Sequence, residues 1–141
     1  MKNRRNIVIF LLLLFIFIPS VKAATGTITY SATSLNIGET RDIKINLVNV
    51  SDVQAFGGFI SSADDKCIKI NSITGLNGTT FYENMFAYAG FGEVPSSIQF
   101  ANVNITGLKE CSSKLSFNSA SITSTSSIDF DANIIANTIT V

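Results

Sequence analysis

The residues able to do chemistry are few, and their types exclude most catalytic arrangements. The chain contains no histidine, so the usual general base near neutral pH and the commonest metal ligand are missing. A Ser–His–Asp or Cys–His nucleophile arrangement is therefore impossible. Carboxylate pairs can run glycoside hydrolysis, and the candidates are Asp64, Asp65, Glu83, Glu93, Asp129 and Asp131. Most of these fall in turns or at alternating wet positions, where solvated surface explains them and no enzyme is implied. Asp129, Asp131 and Asn133 open like a calcium loop, with oxygen groups at positions 1, 3 and 5. Position 6 is Ile134 where a sharp turn needs Gly, and position 12 is Thr140 where a bidentate Glu is needed. A strand with its Asp side chains in water is the expectation, with no metal and no cofactor.

Cys67 and Cys111 are the only cysteines. Two thiolates without histidine make a poor zinc cage. In an exported chain a disulfide between them is expected, with two buried free thiols as the alternative. Closing that loop stabilises a fold by about 4 kcal/mol in the chain-entropy model. The densest aromatic stretch is residues 81–91 (FYENMFAYAGF). It reads either as a contact surface for a sugar ring or protein partner, or as a strand that drops Phe81, Phe86 and Phe91 into the core. The core reading is favoured, and it leaves Tyr82 and Tyr88 as the expected exposed binding residues. Three Asn-X-Ser/Thr sequons, at Asn49, Asn77 and Asn104, read as chance matches in so Asn- and Ser/Thr-rich a chain.

Export itself is read from the N-terminus. Lys2, Arg4 and Arg5 precede an unbroken apolar run at 7–18 (IVIFLLLLFIFI), and Pro19-Ser20 and Val21-Lys22-Ala23 follow. That is the layout of a cleavable signal peptide over residues 1–23, and its apolar run is shorter than the roughly 20 residues of a membrane-spanning helix. The alternative is an uncleaved N-terminal anchor. Residues 24–141 then form one domain with six basic against ten acidic side chains. A chain near −4 offers no basic footprint for nucleic acid and no polybasic stretch for anionic lipid.

Those residues must be positioned by strands, because period-2 alternation dominates the chain. Ile43, Ile45 and Leu47 alternate with Asp42, Lys44 and Asn46, giving a strand with one wet face. Ile68 and Ile70, Leu115 and Phe117, Ile128 and Phe130, and Ile139 and Val141 behave alike. Gly57-Gly58 between Phe56 and Phe59 predicts a bulge or close backbone approach. A slip in alternation at Ala101-Asn102 predicts a bulge. Turn residues at 36–38, 51–52, 64–66, 77–78, 94–96 and 123–127 separate the runs. Eight or nine short strands at this spacing predict an all-β, antiparallel β-sandwich.

Read in order, the segments 35–40 (LNIGET), 43–50 (IKINLVNV), 53–60 (VQAFGGFI) and 67–70 (CIKI), then the turn 73–76 (ITGL) and the strands 98–101 (IQFA) and 113–117 (SKLSF), resemble the cohesin family. The resemblance spans nearly all of 25–141 and rests on pattern. It departs where Ala63-Asp64 replaces the family's Tyr-Asp and where 93–97 (EVPSS) replaces a Gly-rich turn. It implies a nine-stranded jelly-roll sandwich, without catalysis, that binds a dockerin-like module or polysaccharide machinery through one sheet face. Direct carbohydrate binding is the leading rival, weakened by the absence of Trp. A structural surface or pilus-type subunit that polymerises through sheet edges is the third reading.

Overall fold

The computed structural model describes residues 24–89, 94–123, 129–131 and 133–141. The expected signal segment 1–23, with Phe91 and Glu93, lies outside the described residues. In chain order the strands are β1 (Thr25–Thr29), β2 (Thr33–Ser34), β3 (Thr40–Ser51), β4 (Ala55–Ser62), β5 (Ile68–Gly75), β6 (Thr80–Tyr82) and β7 (Met85–Ala89). They continue as β8 (Ser97–Gly107), β9 (Ser112–Ser113), β10 (Leu115–Thr123), β11 (Asp129–Asp131), β12 (Asn133–Ile135) and β13 (Ile139–Thr140). One five-stranded sheet runs β12-β1-β3-β8-β5 and a second runs β11-β10-β4-β7-β6. A minor sheet, β2-β13-β9, lies beside them. All pairings are antiparallel except β1 with β12 and β2 with β13. This is the all-β jelly-roll sandwich that the alternation and the resemblance predict. Two- and three-residue segments, such as those of the minor sheet, raise the strand count above nine.

The period-2 pattern places the core. Ile43, Ile45 and Leu47 of β3 are buried, whereas Asp42 and Lys44 between them are exposed. From the facing sheet, Phe56 and Ile60 of β4, Phe86 of β7, and Leu115 and Ile122 of β10 meet them. Phe100 lies at the centre of the aromatic packing, its ring 5.2 Å from Phe56 and 5.1 Å from Phe86.

Both expected irregularities exist, each slightly displaced. Ile45 pairs with Ala101 and Asn46 with Gln99, so Phe100 is the extra residue of the β8 bulge, one position before the predicted slip. The bulge turns two consecutive side chains, Phe100 and Ala101, into the core with no exposure. In β4 the Gly-Gly pair faces a bulge on β10, because Phe59 pairs with Asn118 and Gly57 with Ser121. A Cβ on Gly58 would lie 2.9 Å from the Ala120 Cα and 3.1 Å from the Phe86 ring. Backbone approaches backbone there, and only glycine fits.

The expected disulfide is present: Cys67 and Cys111 are joined, with Cα atoms 5.9 Å apart. Tyr30, just after β1, supplies a second tie, to the start of β10 in the other large sheet. Its side chain is buried, and the Leu115 amide donates to its hydroxyl at 2.8 Å. Burial pushes the Tyr30 pKa up, and the Leu115 hydrogen bond partly opposes the shift. Replacing Tyr30 with Phe strands a buried N–H, so a loss of about 1–3 kcal/mol in unfolding free energy is expected. The unfolded tyrosine ionises near pH 10 while the folded one resists. Wild-type stability is therefore full below that pH and falls as pH rises through it. Tyr30→Phe should flatten that alkaline decline in urea titrations, and an unchanged slope would contradict this role.

Candidate functional site

The outer faces of the two large sheets differ in kind. On β3, β8 and β5 the outward side chains bond to one another. Asn104 Nδ2 donates to Asp42 Oδ1 at 2.6 Å, and Asn71 Nδ2 donates to Asn104 Oδ1 at 2.9 Å and to Thr106 Oγ1 at 2.8 Å. The Thr106 and Thr40 hydroxyls share a further bond at 2.9 Å, and Gln99 Nε2 donates to Asn102 Oδ1 at 2.7 Å. Lys44 and Lys69 stand exposed among them. Such a face already satisfies its own polar groups and is well solvated.

The opposite face is built otherwise. The four strands β10, β4, β7 and β6 contain no charged residue. Pairing aligns Asn118 with Phe59, Phe59 with Met85, and Met85 with Tyr82. These four therefore form one row across the strands, roughly 14 Å long at the usual strand spacing. Tyr82 is 72% exposed, Met85 41% and Phe59 39%. The next row along the strands is Ser121, Gly57, Ala87 and Thr80, and beyond it come Thr123, Ala55 and Ala89. A ridge of large apolar side chains thus borders a floor of small ones, where a partner's backbone can approach closely. Asn118 anchors the end of the ridge, donating to Ser61 Oγ at 3.3 Å.

The two tyrosines expected on the surface separate. Tyr82 is on the ridge, but Tyr88 is half-buried and stacks on Phe56, with ring centroids 5.0 Å apart and 12° between planes. The reason is a two-residue hairpin at Glu83-Asn84, with Glu83 at φ 55°, which pairs Phe81 with Phe86. A continuous strand would put residues 82 and 88 on one face. The hairpin resets the alternation, so Tyr82, Met85 and Ala87 point outward while Phe81, Phe86 and Tyr88 point inward. The core reading thus holds for Phe86 and for the partly buried Phe81.

Sequence reasoning missed Phe59 and Met85 as surface residues. Phe59 was legible from parity alone, since inward Phe56, Gly58 and Ile60 leave it on the other side. Met85 was not, because neither residue of the Glu83-Asn84 turn is the glycine that such loops favour.

Among the described residues the candidate carboxylates are spread over separate elements. Asp64 and Asp65 lie exposed in the β4–β5 connection and Glu83 in the β6–β7 turn, while Asp129 and Asp131 lie on edge strand β11. Among the described residues no group of three or more His, Cys, Asp or Glu could hold a metal ion. Asp64 Oδ1 accepts from the Lys66 amide at 2.9 Å, which ties its own turn. Glu39 of the Gly-Glu-Thr turn has a similar structural task. Its carboxylate accepts from the Asn36 amide at 2.9 Å and pairs with Arg41. The Asn36 amide first, and Arg41 second, hold its pKa below the usual carboxylate range.

No family model matches the sequence, and no curated protein matches it either. Solved structures do match. The third ScaB cohesin of R. flavefaciens, in complex with a group 1 dockerin, superposes with a TM-score of 0.68 over 86% of this chain and 97% of that one, at 16% identity. The fold is cohesin-like. A type I cohesin–dockerin complex from Clostridium thermocellum gives a TM-score of 0.68 at 14% identity, over 85% of this chain and 96% of the other. A cohesin module of a family 33 glycoside hydrolase from Clostridium perfringens gives 0.67 at 12% identity, over 84% and 97%. At such low identity the cohesin-like domain shares a backbone with these modules, and its contact residues must be read from its own surface.

Proposed function

We propose that this cohesin-like domain is an exported, non-catalytic module that docks a dockerin-type protein through the outer face of β10-β4-β7-β6. The observation that carries the reading is the exposed Phe59–Met85–Tyr82 ridge on four strands that contain no charged residue. Apolar side chains aligned across three strands gain little from water and gain area against a partner. The sheet holds them in place beforehand, which limits the ordering cost of association. Two of the similar structures are complexes with dockerins, which supports a protein as the partner. The disulfide supports an oxidising compartment, in agreement with the expected signal segment. A role in extracellular assemblies that process polysaccharide is part of the same proposal, and it is supported by a similar cohesin module that belongs to a family 33 glycoside hydrolase of C. perfringens.

The test is titration calorimetry of the exported protein against a panel of purified dockerin modules, run beside sedimentation with insoluble polysaccharides. Saturable binding of at least one dockerin without retention on polysaccharide is expected. Because the ridge and its four strands carry no charge, affinity should change less than about tenfold between 50 mM and 500 mM salt, since the charge-steered part of binding is what salt screens. Retention on polysaccharide with no dockerin bound would overturn the proposal.

A further inference from the structure

The C-terminal strand belongs to the minor sheet, whose ladders are short. Strand β13 has two residues, and its neighbours β2 and β9 have two each. Ile139 is nevertheless fully buried, and Val141 lies over Gly107 so closely that a Cβ there would meet Val141 Cγ1 at 2.7 Å. On the β2 side the backbone bonds run from the Thr33 amide to Thr138 O at 3.3 Å and from the Leu35 amide to Thr140 O at 2.9 Å. On the other side Val141 exchanges both of its backbone bonds with Cys111, at 3.1 and 2.9 Å. Cys111 sits in the connection between β8 and β9, and it is fixed by the bridge to Cys67 immediately before β5. The Leu108 amide also donates to Cys67 O at 2.8 Å, which ties the same connection to the same residue.

We propose that the Cys67–Cys111 disulfide is a redox-sensitive latch that holds the C-terminal strand against the end of the sandwich. The two sulfurs differ in access: Cys67 is fully buried, while Cys111 is half-exposed. A thiolate of an external dithiol attacks the Cys111 sulfur, forms a mixed disulfide and releases the Cys67 thiolate, which takes a proton. The second thiol of the reductant then displaces Cys111 as its thiol and closes the reductant's own disulfide. The protein gains two hydrogens and two electrons, and the dithiol loses them. With the bridge open, residues 108–113 lose their fixed point and the pair of bonds to Val141 loses its anchor. The two five-stranded sheets keep their long ladders, β3 with β8 and β4 with β10. The ridge strands, β10 included, lie outside residues 108–113, so docking does not depend on the latch.

Hydrogen–deuterium exchange of the oxidised protein, before and after dithiothreitol, reads this directly. Exchange at 111–113 and 138–141 should accelerate at least tenfold on reduction, while β3, β4 and β8 keep their protection. The Cys67→Ser/Cys111→Ser variant should reproduce the pattern without reductant. Unchanged protection at 138–141 would show that the strand is held without the bridge. Loss of protection across all strands would show that the bridge staples the whole domain rather than latching one end. Either result overturns the proposal.

Discussion

Truncating Tyr82 and Met85 together to alanine is expected to weaken capture of the protein partner by more than tenfold while leaving the unfolding midpoint close to wild type. Both side chains are largely or substantially exposed, so their removal leaves no internal cavity and little stability is at risk. Binding is different, because a tyrosine flanked by apolar neighbours is the kind of residue that dominates interface energy. A tenfold loss corresponds to about 1.4 kcal/mol, well within what one such anchor supplies. The measurement is a pair of titrations beside a pair of thermal melts. Equal affinity with an unchanged melt would remove the ridge from the recognition surface.

The largest expected effect on stability is at Phe100, away from that face. Phe100→Ala should cost about 3–5 kcal/mol, from a domain whose whole stability is expected at about 5–15 kcal/mol. The ring is fully buried and contacts Phe56 and Phe86, and the bulge places it where β8 faces the opposite sheet. Neighbouring backbone belongs to paired strands on both sides, so the site cannot collapse to fill the space. Urea unfolding checks the value, and a loss below about 1 kcal/mol would show that the aromatic cluster repacks.

These two sites mark what the sequence made legible. Phe100 falls in the strand segment 98–101 that the sequence offered, and even its bulge was foreshadowed by the slip in alternation at Ala101-Asn102. The disulfide followed from cysteine count and expected export. Sandwich architecture was readable for the same reason: a side-chain period of two depends only on local sequence. The exposed apolar row was not readable, because it depends on which strands are neighbours. Phe59, Met85 and Tyr82 are brought together by the β4–β7 and β7–β6 pairings, and a two-residue hairpin without glycine decides the facing of everything after it. Tyr88 was misassigned by that one reversal. Residues 77–78 make the same point from another side. Asn77 and Gly78 both take positive φ, at 51° and 84°, as an Asn-Gly hairpin turn would, yet the turn carries the chain from β5 in one sheet to β6 in the other.

Recognition on the β10-β4-β7-β6 face, as proposed, is separable from recognition on the opposite face by charge insertion. Ala87 lies on the small-residue floor beside the ridge, exposed and on β7, and Lys44 lies on β3 in the polar face. Ala87→Glu places an unpaired carboxylate where a partner must exclude water, whereas Lys44→Glu leaves a charge in a face that is already polar. With a dockerin that binds the wild type, Ala87→Glu is expected to abolish measurable binding and Lys44→Glu to leave affinity within about threefold, a difference under 1 kcal/mol. Binding that survives Ala87→Glu and is lost in Lys44→Glu would place recognition on the opposite sheet and overturn the proposed docking face.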